Sequence, residues 1–190
     1  MKLFVPKLKI LPGGIMMLSL LMFFTDTLVF FSIVGNAILH ELGHLYSLRM
    51  CGVYIHSVKV GFTGLCIPCN LERLPRRAYF CCAAAGPFGG LFAALICSFL
   101  GNLLDCEALL LFAGIGVILS VFNLLPVKPM DGWRMLFAIF PKASYIISDI
   151  ASFVLLCVGV YIMMEGYGTA LACMGIFFLV WDSGDTFVGR

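Results

Sequence analysis

The chain predicts an all-α polytopic membrane protein of about six transmembrane helices, with a small cytoplasmic β-hairpin after the second helix. Three observations lead there. Apolar residues of the AVILMFWYC set make up 62% of the 190 residues and charged ones only 12%, with a mean hydropathy of +1.09. Soluble domains run to about 45–50% apolar and about 25% charged. The apolar residues fall in long uncharged runs, and the charges between the runs sort cleanly by side.

The runs extend from Ile10 to Thr25, from Thr27 through His40 to Leu48, from Ala78 to Asn102, from Ala108 to Val127, from Ala143 to Met164 and from Gly166 to Trp181. A hydrocarbon core of about 30 Å takes about 20 helical residues, so the first and last runs are short for a full crossing. Six crossings put all 12 Lys and Arg residues on one side, with Asp26, Asp105, Glu107 and Glu165 opposite. Positive charge collects in cytoplasmic loops. Both termini are therefore expected in the cytoplasm, and the formal net charge of +2 is a topology signal. No basic surface interleaved with aromatics suggests a nucleic-acid partner.

Lys2, Lys7 and Lys9 before an apolar run imitate a secretory signal, but no small-x-small cleavage site follows Phe24, which favours a retained first helix. No repeat, low-complexity tract or flexible linker divides the chain, so residues 1–190 are expected to form one membrane-embedded domain.

The longest connection outside the apolar runs, Cys51 to Arg77, changes from helical to extended character. Ser57, Lys59 and Gly61 alternate with Val58, Val60 and Phe62, the period of a half-exposed strand. Thr63-Gly64 can turn the chain and Leu65 to Ile67 can run back, which gives the hairpin. Its edge strand is expected to offer backbone groups to an extended substrate segment. Cys66-Ile67-Pro68-Cys69 is the one cysteine pair with metal or redox spacing, and without a second pair it reads as structural. Cys81 and Cys82 point to different faces of a helix and read as small hydrophobes. His56 reads as a hairpin surface residue, Asp149 as an interfacial one near Lys142, and the run Ala83 to Gly90 as a close helix contact.

The second run contains His40-Glu41-Leu42-Gly43-His44. Residues four apart share a helix face, so both imidazoles can reach one metal ion with Glu41 beside it. A catalytic zinc takes three protein ligands and keeps a fourth position for water. With only three histidines in the chain, the third ligand is sought among carboxylates at matching depth. His40 lies nine residues before Arg49, about 14 Å along a helix, and Asp131 three residues before Arg134. Both fall towards the cytoplasmic leaflet. An unpaired carboxylate within an apolar span costs about 2.5–3.5 kcal/mol. Glu41 and Asp131 show no basic residue on their own helix face, so a dication would offset that cost.

The pairing of His40-Glu41-Leu42-Gly43-His44 with Asn123-Leu124-Leu125-Pro126-Val127-Lys128-Pro129-Met130-Asp131-Gly132 resembles the site-2 protease family of intramembrane metalloproteases. The short form, without a PDZ or CBS domain, is most similar to the bacterial branch that processes a sporulation sigma-factor precursor. That resemblance implies one catalytic Zn2+ bound by His40, His44 and Asp131, and Glu41 as catalytic base. It implies a substrate cleft shaped by Asn123 and Pro126, with peptide bonds cut in or near the transmembrane segments of membrane proteins. It also implies a bacterial plasma membrane and leaves room for regulatory membrane proteins. Ala85-Gly86-Pro87 resembles the family's Ala-Gly-Pro element, but the asparagine often found three residues after its proline is here Gly90. Two readings from other classes compete: a zinc-dependent membrane hydrolase of a non-protein bond, and a metal transporter or inactive scaffold. Ligating groups clustered at one depth speak against a transport path, and an intact Glu41 against a scaffold.

Overall fold

The computed structural model describes residues 7–10, 12–53, 57–61, 64–66, 74–166, 169, 173–178 and 180. In chain order the elements are β1 (Lys7–Ile10), α1 (Pro12–Phe24), α2 (Thr27–Met50), β2 (Ser57–Gly61), β3 (Gly64–Cys66), α3 (Arg76–Leu103), α4 (Glu107–Asn123), α5 (Asp131–Ile139) and α6 (Pro141–Met164). Residues 173–178 are also helical. The chain divides into two compact units, Met1–Phe122 and Asn123–Arg190.

This corrects the expected fold class. Among the described residues three helices, α2, α3 and α6, are long and apolar enough to cross a bilayer, not about six. Their 24, 28 and 24 residues rise about 36, 42 and 36 Å. The apolar helices α1 and α4 have 13 and 17 residues, about 20 and 26 Å, short of a hydrocarbon core of about 30 Å. Hydropathy counts apolar residues, whereas helix length is set by the breaks between them: α1 starts at Pro12 and stops at Phe24, before the extended N-cap Asp26 of α2.

Nor is the chain all-α with a separate hairpin. β1 joins β2 in parallel, Lys7 opposite Ser57 and Ile10 opposite Val60, while β3 lies antiparallel on the other side of β2. The result is one mixed three-stranded sheet of order β1-β2-β3. β2 therefore has a neighbour on both sides, and the Ser57–Gly61 strand is not the edge that a substrate segment could join.

In the first unit α2 packs mainly on α3, β2 touches α1, and β3 touches α2. α2 ends where Gly52 takes a φ of +73° while its N–H and that of Val53 bond back to the carbonyls of Arg49 and Leu48. Only glycine adopts that left-handed conformation without strain. At this end Leu48 and Cys82 form a small buried core with Leu45, Cys51, Val53 and Leu74 around them. Cys81, the neighbour of Cys82, faces outward.

Higher on the seam the helices approach through glycine. A Cβ on Gly43 would collide with the backbone of Ala85 and Gly86, and one on Gly86 would run into the His44 ring. Between apolar helices in lipid, such close van der Waals contact replaces the hydrophobic drive available in water. α4 joins the same unit through polar contacts. The amide of Asn36, 3% exposed, donates to the carbonyls of Ser32 and Phe112, 2.9 Å each, and its Oδ1 faces Gly116.

In the second unit α5 and α6 pack together. Ser144, Ser148 and Ser152 recur every four residues on α6, all fully buried. Residues this small let neighbouring backbone come close. A Cβ on Gly132 would meet the carbonyls of Leu124 and Leu125, so the turn after α4 lies against the start of α5.

Candidate metal centre

His40, Glu41 and His44 occupy consecutive turns in the middle of α2. Apart from Asn36 the two turns before them are apolar, and helix continues to Met50, so the i, i+4 alignment that brings the two rings onto one face is kept. Their Nε2 atoms lie 3.1 Å apart and the rings meet edge to face at a centroid distance of 4.8 Å.

The other nitrogen of His44 is committed. Its Nδ1 stands 2.7 Å from the backbone carbonyl of Cys82 on α3. A carbonyl only accepts, so Nδ1 carries the ring proton and Nε2 presents a lone pair. A backbone carbonyl holding Nδ1–H in this way fixes tautomer and orientation in metal-ligating histidines. Pro87 contributes nearby: lacking an N–H, it leaves the Ala83 carbonyl without its helical donor, one residue from the carbonyl that takes His44. Gly86 then supplies the space that the ring occupies.

This pair fits a zinc ion. Two donors about 2.0–2.1 Å from a tetrahedral zinc stand about 3.3 Å from each other, close to the observed 3.1 Å. Glu41 is half-buried on the same turn.

Asp131 is the first residue of α5, in the second unit, and is 4% exposed. Contrary to the expectation of a carboxylate with no basic neighbour on its helix face, its Oδ1 accepts from Arg134 Nη1 at 2.9 Å, three residues on. A carboxylate has two oxygens, and one on a guanidinium is compatible with the other serving a metal. Asn123 closes α4, and Pro126 lies in the turn that follows; both are half-buried. Asp149 is exposed on α6. His56 and Cys69 lie outside the described residues, and Cys66 ends β3.

For several residues around the histidines the contacts are not assigned by the sequence reading. Asn36 stands one turn before His40 and carries a buried amide within an apolar span, a signal in its own right. The Cys82 carbonyl has no sequence signal. Gly90 has a structural one: a Cβ there would strike Ser120 Oγ, and Ser120 is buried at 2% exposure. The serine fills the space that an asparagine at position 90 would need.

No protein-family model matches the chain. It is 27% identical over 123 residues to the zinc metalloprotease MJ0392 of Methanocaldococcus jannaschii, an alignment covering 60% of this chain and 34% of that protein. The chain thus spans about a third of that curated relative. Its fold is similar to that of the site-2 protease from Methanocaldococcus jannaschii, with a TM-score of 0.70 and 20% identity, covering 93% of this chain and 89% of the other. Neither likeness bears on the bacterial sporulation branch. Three apolar helices among the described residues are long enough to cross a bilayer, and the chain is similar in fold to a site-2 protease and in sequence to a zinc metalloprotease.

Proposed function

We propose that the chain is an intramembrane zinc endopeptidase that hydrolyses peptide bonds in or near the transmembrane segments of membrane-protein substrates. The observation that carries this reading is the His40–His44 pair, with Nε2 atoms 3.1 Å apart and the His44 tautomer set by the Cys82 carbonyl. A relative named as a zinc metalloprotease supports zinc as the metal. His40, His44 and Asp131 are the proposed ligands, a candidate metal-binding group of two imidazoles and one carboxylate. The sorted charges support cytoplasmic termini and a site towards the cytoplasmic leaflet.

Bound zinc would supply a positive centre that acidifies water and polarises a carbonyl. Glu41, one residue from His40, takes the proton from the attacking water on its carboxylate and passes it to the leaving amide nitrogen. The Asn123 amide donates to the substrate carbonyl oxygen as negative charge builds there, and Pro126 shapes the cleft wall. Hydrolysis within a membrane requires an unwound substrate segment, because a helix hides its carbonyls.

The test is expression of Glu41→Gln in a native host, followed by identification of the membrane proteins that co-purify with it and persist uncleaved. The reading predicts at least one membrane protein whose fragment depends on Glu41. If no fragment does, the protease reading fails, and a zinc-dependent hydrolase of another bond, a transporter or an inactive scaffold takes its place.

A further inference from the structure

Lys128 stands between two prolines in the Asn123–Asp131 segment, and zinc chemistry has no use for its ammonium. It is nevertheless 6% exposed, in a chain where burying a charge is expensive. Its Nζ lies 4.3 Å from the centroid of Tyr145 on α6 and 5.3 Å from that of Trp133 on α5. Those rings support each other: Trp133 and Tyr145 meet edge to face at 5.7 Å, and Phe137 stacks on Trp133 at 5.3 Å. Two π faces offset part of the desolvation of the cation. The backbone of Lys128 is held as well, its N–H donating to Ser148 Oγ at 3.1 Å. Tyr145 and Ser148 are three residues apart and share a face of α6.

Both ends of one residue are thus fastened to α6, and the side chain also to α5. Asp131 follows three residues later, and Gly132 just beyond it lies against the Leu124 and Leu125 carbonyls. The Asp131 carboxylate therefore stands between two fixed points of the backbone.

We infer that Lys128 is a positioning residue: its ammonium, caged by Trp133 and Tyr145, fixes the turn that carries Asp131 and so sets the affinity for zinc. This rests on the reading of Asp131 as a zinc ligand. The role inferred for the lysine acts through Asp131. Removal of the lysine should loosen the turn and blunt metal binding, as loss of outer-shell support does elsewhere.

The test uses the full chain in detergent micelles, with zinc alone as the probe, titrated against a competing chelator. Hydrogen exchange of residues 124–131 and thermal unfolding are followed on the same samples. Lys128→Met is expected to weaken zinc binding by about tenfold and to speed exchange in the turn. Lys128→Arg, which keeps a cation over the rings, should remain within about threefold of the parent. Unchanged zinc affinity in Lys128→Met, with a lowered unfolding temperature or faster exchange, would reduce the lysine to a staple and overturn the inference. Should Lys128→Met not fold, Tyr145→Leu against Tyr145→Phe repeats the comparison from the other side of the cage, with loss expected only for leucine. Asp131→Asn separates the two claims. If it binds zinc as the parent does, the ligand reading fails and this inference with it; if it loses zinc while Lys128→Met does not, this inference alone fails.

Discussion

Along the α2–α3 seam His44 is held by shape: Gly86 leaves room for the ring, Gly43 lets the backbones close, and a carbonyl of α3 takes the ring proton. Around Lys128 the turn before Asp131 is held by side chains, an ammonium over two aromatic rings and a serine hydroxyl beneath a backbone N–H. The first arrangement has no slack, since every alternative to glycine is larger. The second tolerates any residue that keeps the charge and the ring. Ligands carried within one long helix need only space, whereas a ligand that follows a turn needs its backbone tied down.

The largest expected effect lies in the seam. Gly86→Ala places a methyl group in the His44 ring, which should abolish stoichiometric zinc binding and lower stability by about 1–3 kcal/mol. Zinc content and thermal unfolding in detergent measure both. Gly90→Asn should destabilise by a similar 1–3 kcal/mol, roughly, because Ser120 Oγ already occupies that space. Ser120→Gly in the same chain should recover most of the loss, and a double variant no better than the single one would break the account of this seam. Asn36→Ala removes the donor to the Phe112 carbonyl and should cost about 0.6–1.7 kcal/mol, the range for hydrogen bonds between membrane helices. Denaturant unfolding in mixed micelles reads it.

The smallest effect is expected in the second region. Arg134 has 39% of its side chain exposed although Asp131 is buried, so solvent at the guanidinium end screens the pair. Arg134→Gln should therefore change zinc affinity by less than about fivefold, read by chelator competition. A greater loss would show that the guanidinium, and not the Lys128 cage, holds Asp131.

The parts of this design that could be read from sequence are the local ones. The four-residue spacing of His40 and His44 is a property of one helix, so it survives folding unchanged. Asp131 can be named from its motif, but its contact with Arg134 was also legible at three residues' distance and was missed. β1 carried its own signal, Lys7 and Lys9 alternating with Leu8 and Ile10, hidden inside what looked like the approach to a helix. Its partner β2 lies some 50 residues away, 7 against 57 in register, and no local pattern specifies that pairing. The helix count failed for a different reason. Apolar runs measure how well a segment dissolves in lipid, not where Pro12, Asp26 or the turn after Asn123 interrupts it. In sequence Gly86 and Gly90 fall in a run that reads as a close helix contact, and Gly43 is only a spacer between the histidines. Only the neighbours that fill their missing side chains, Ala85, His44 and Ser120, give them a purpose.

X-ray absorption at the zinc edge of the purified chain addresses the ligand set directly. The account predicts one zinc per chain with a shell of nitrogen and oxygen donors at about 2.0–2.1 Å, imidazole scattering that falls when His44 is replaced by alanine, and an altered oxygen contribution in Asp131→Asn. A chain that binds no zinc, or one whose zinc sits among sulfurs at about 2.3 Å, as a site on Cys66 and Cys69 would give, contradicts it.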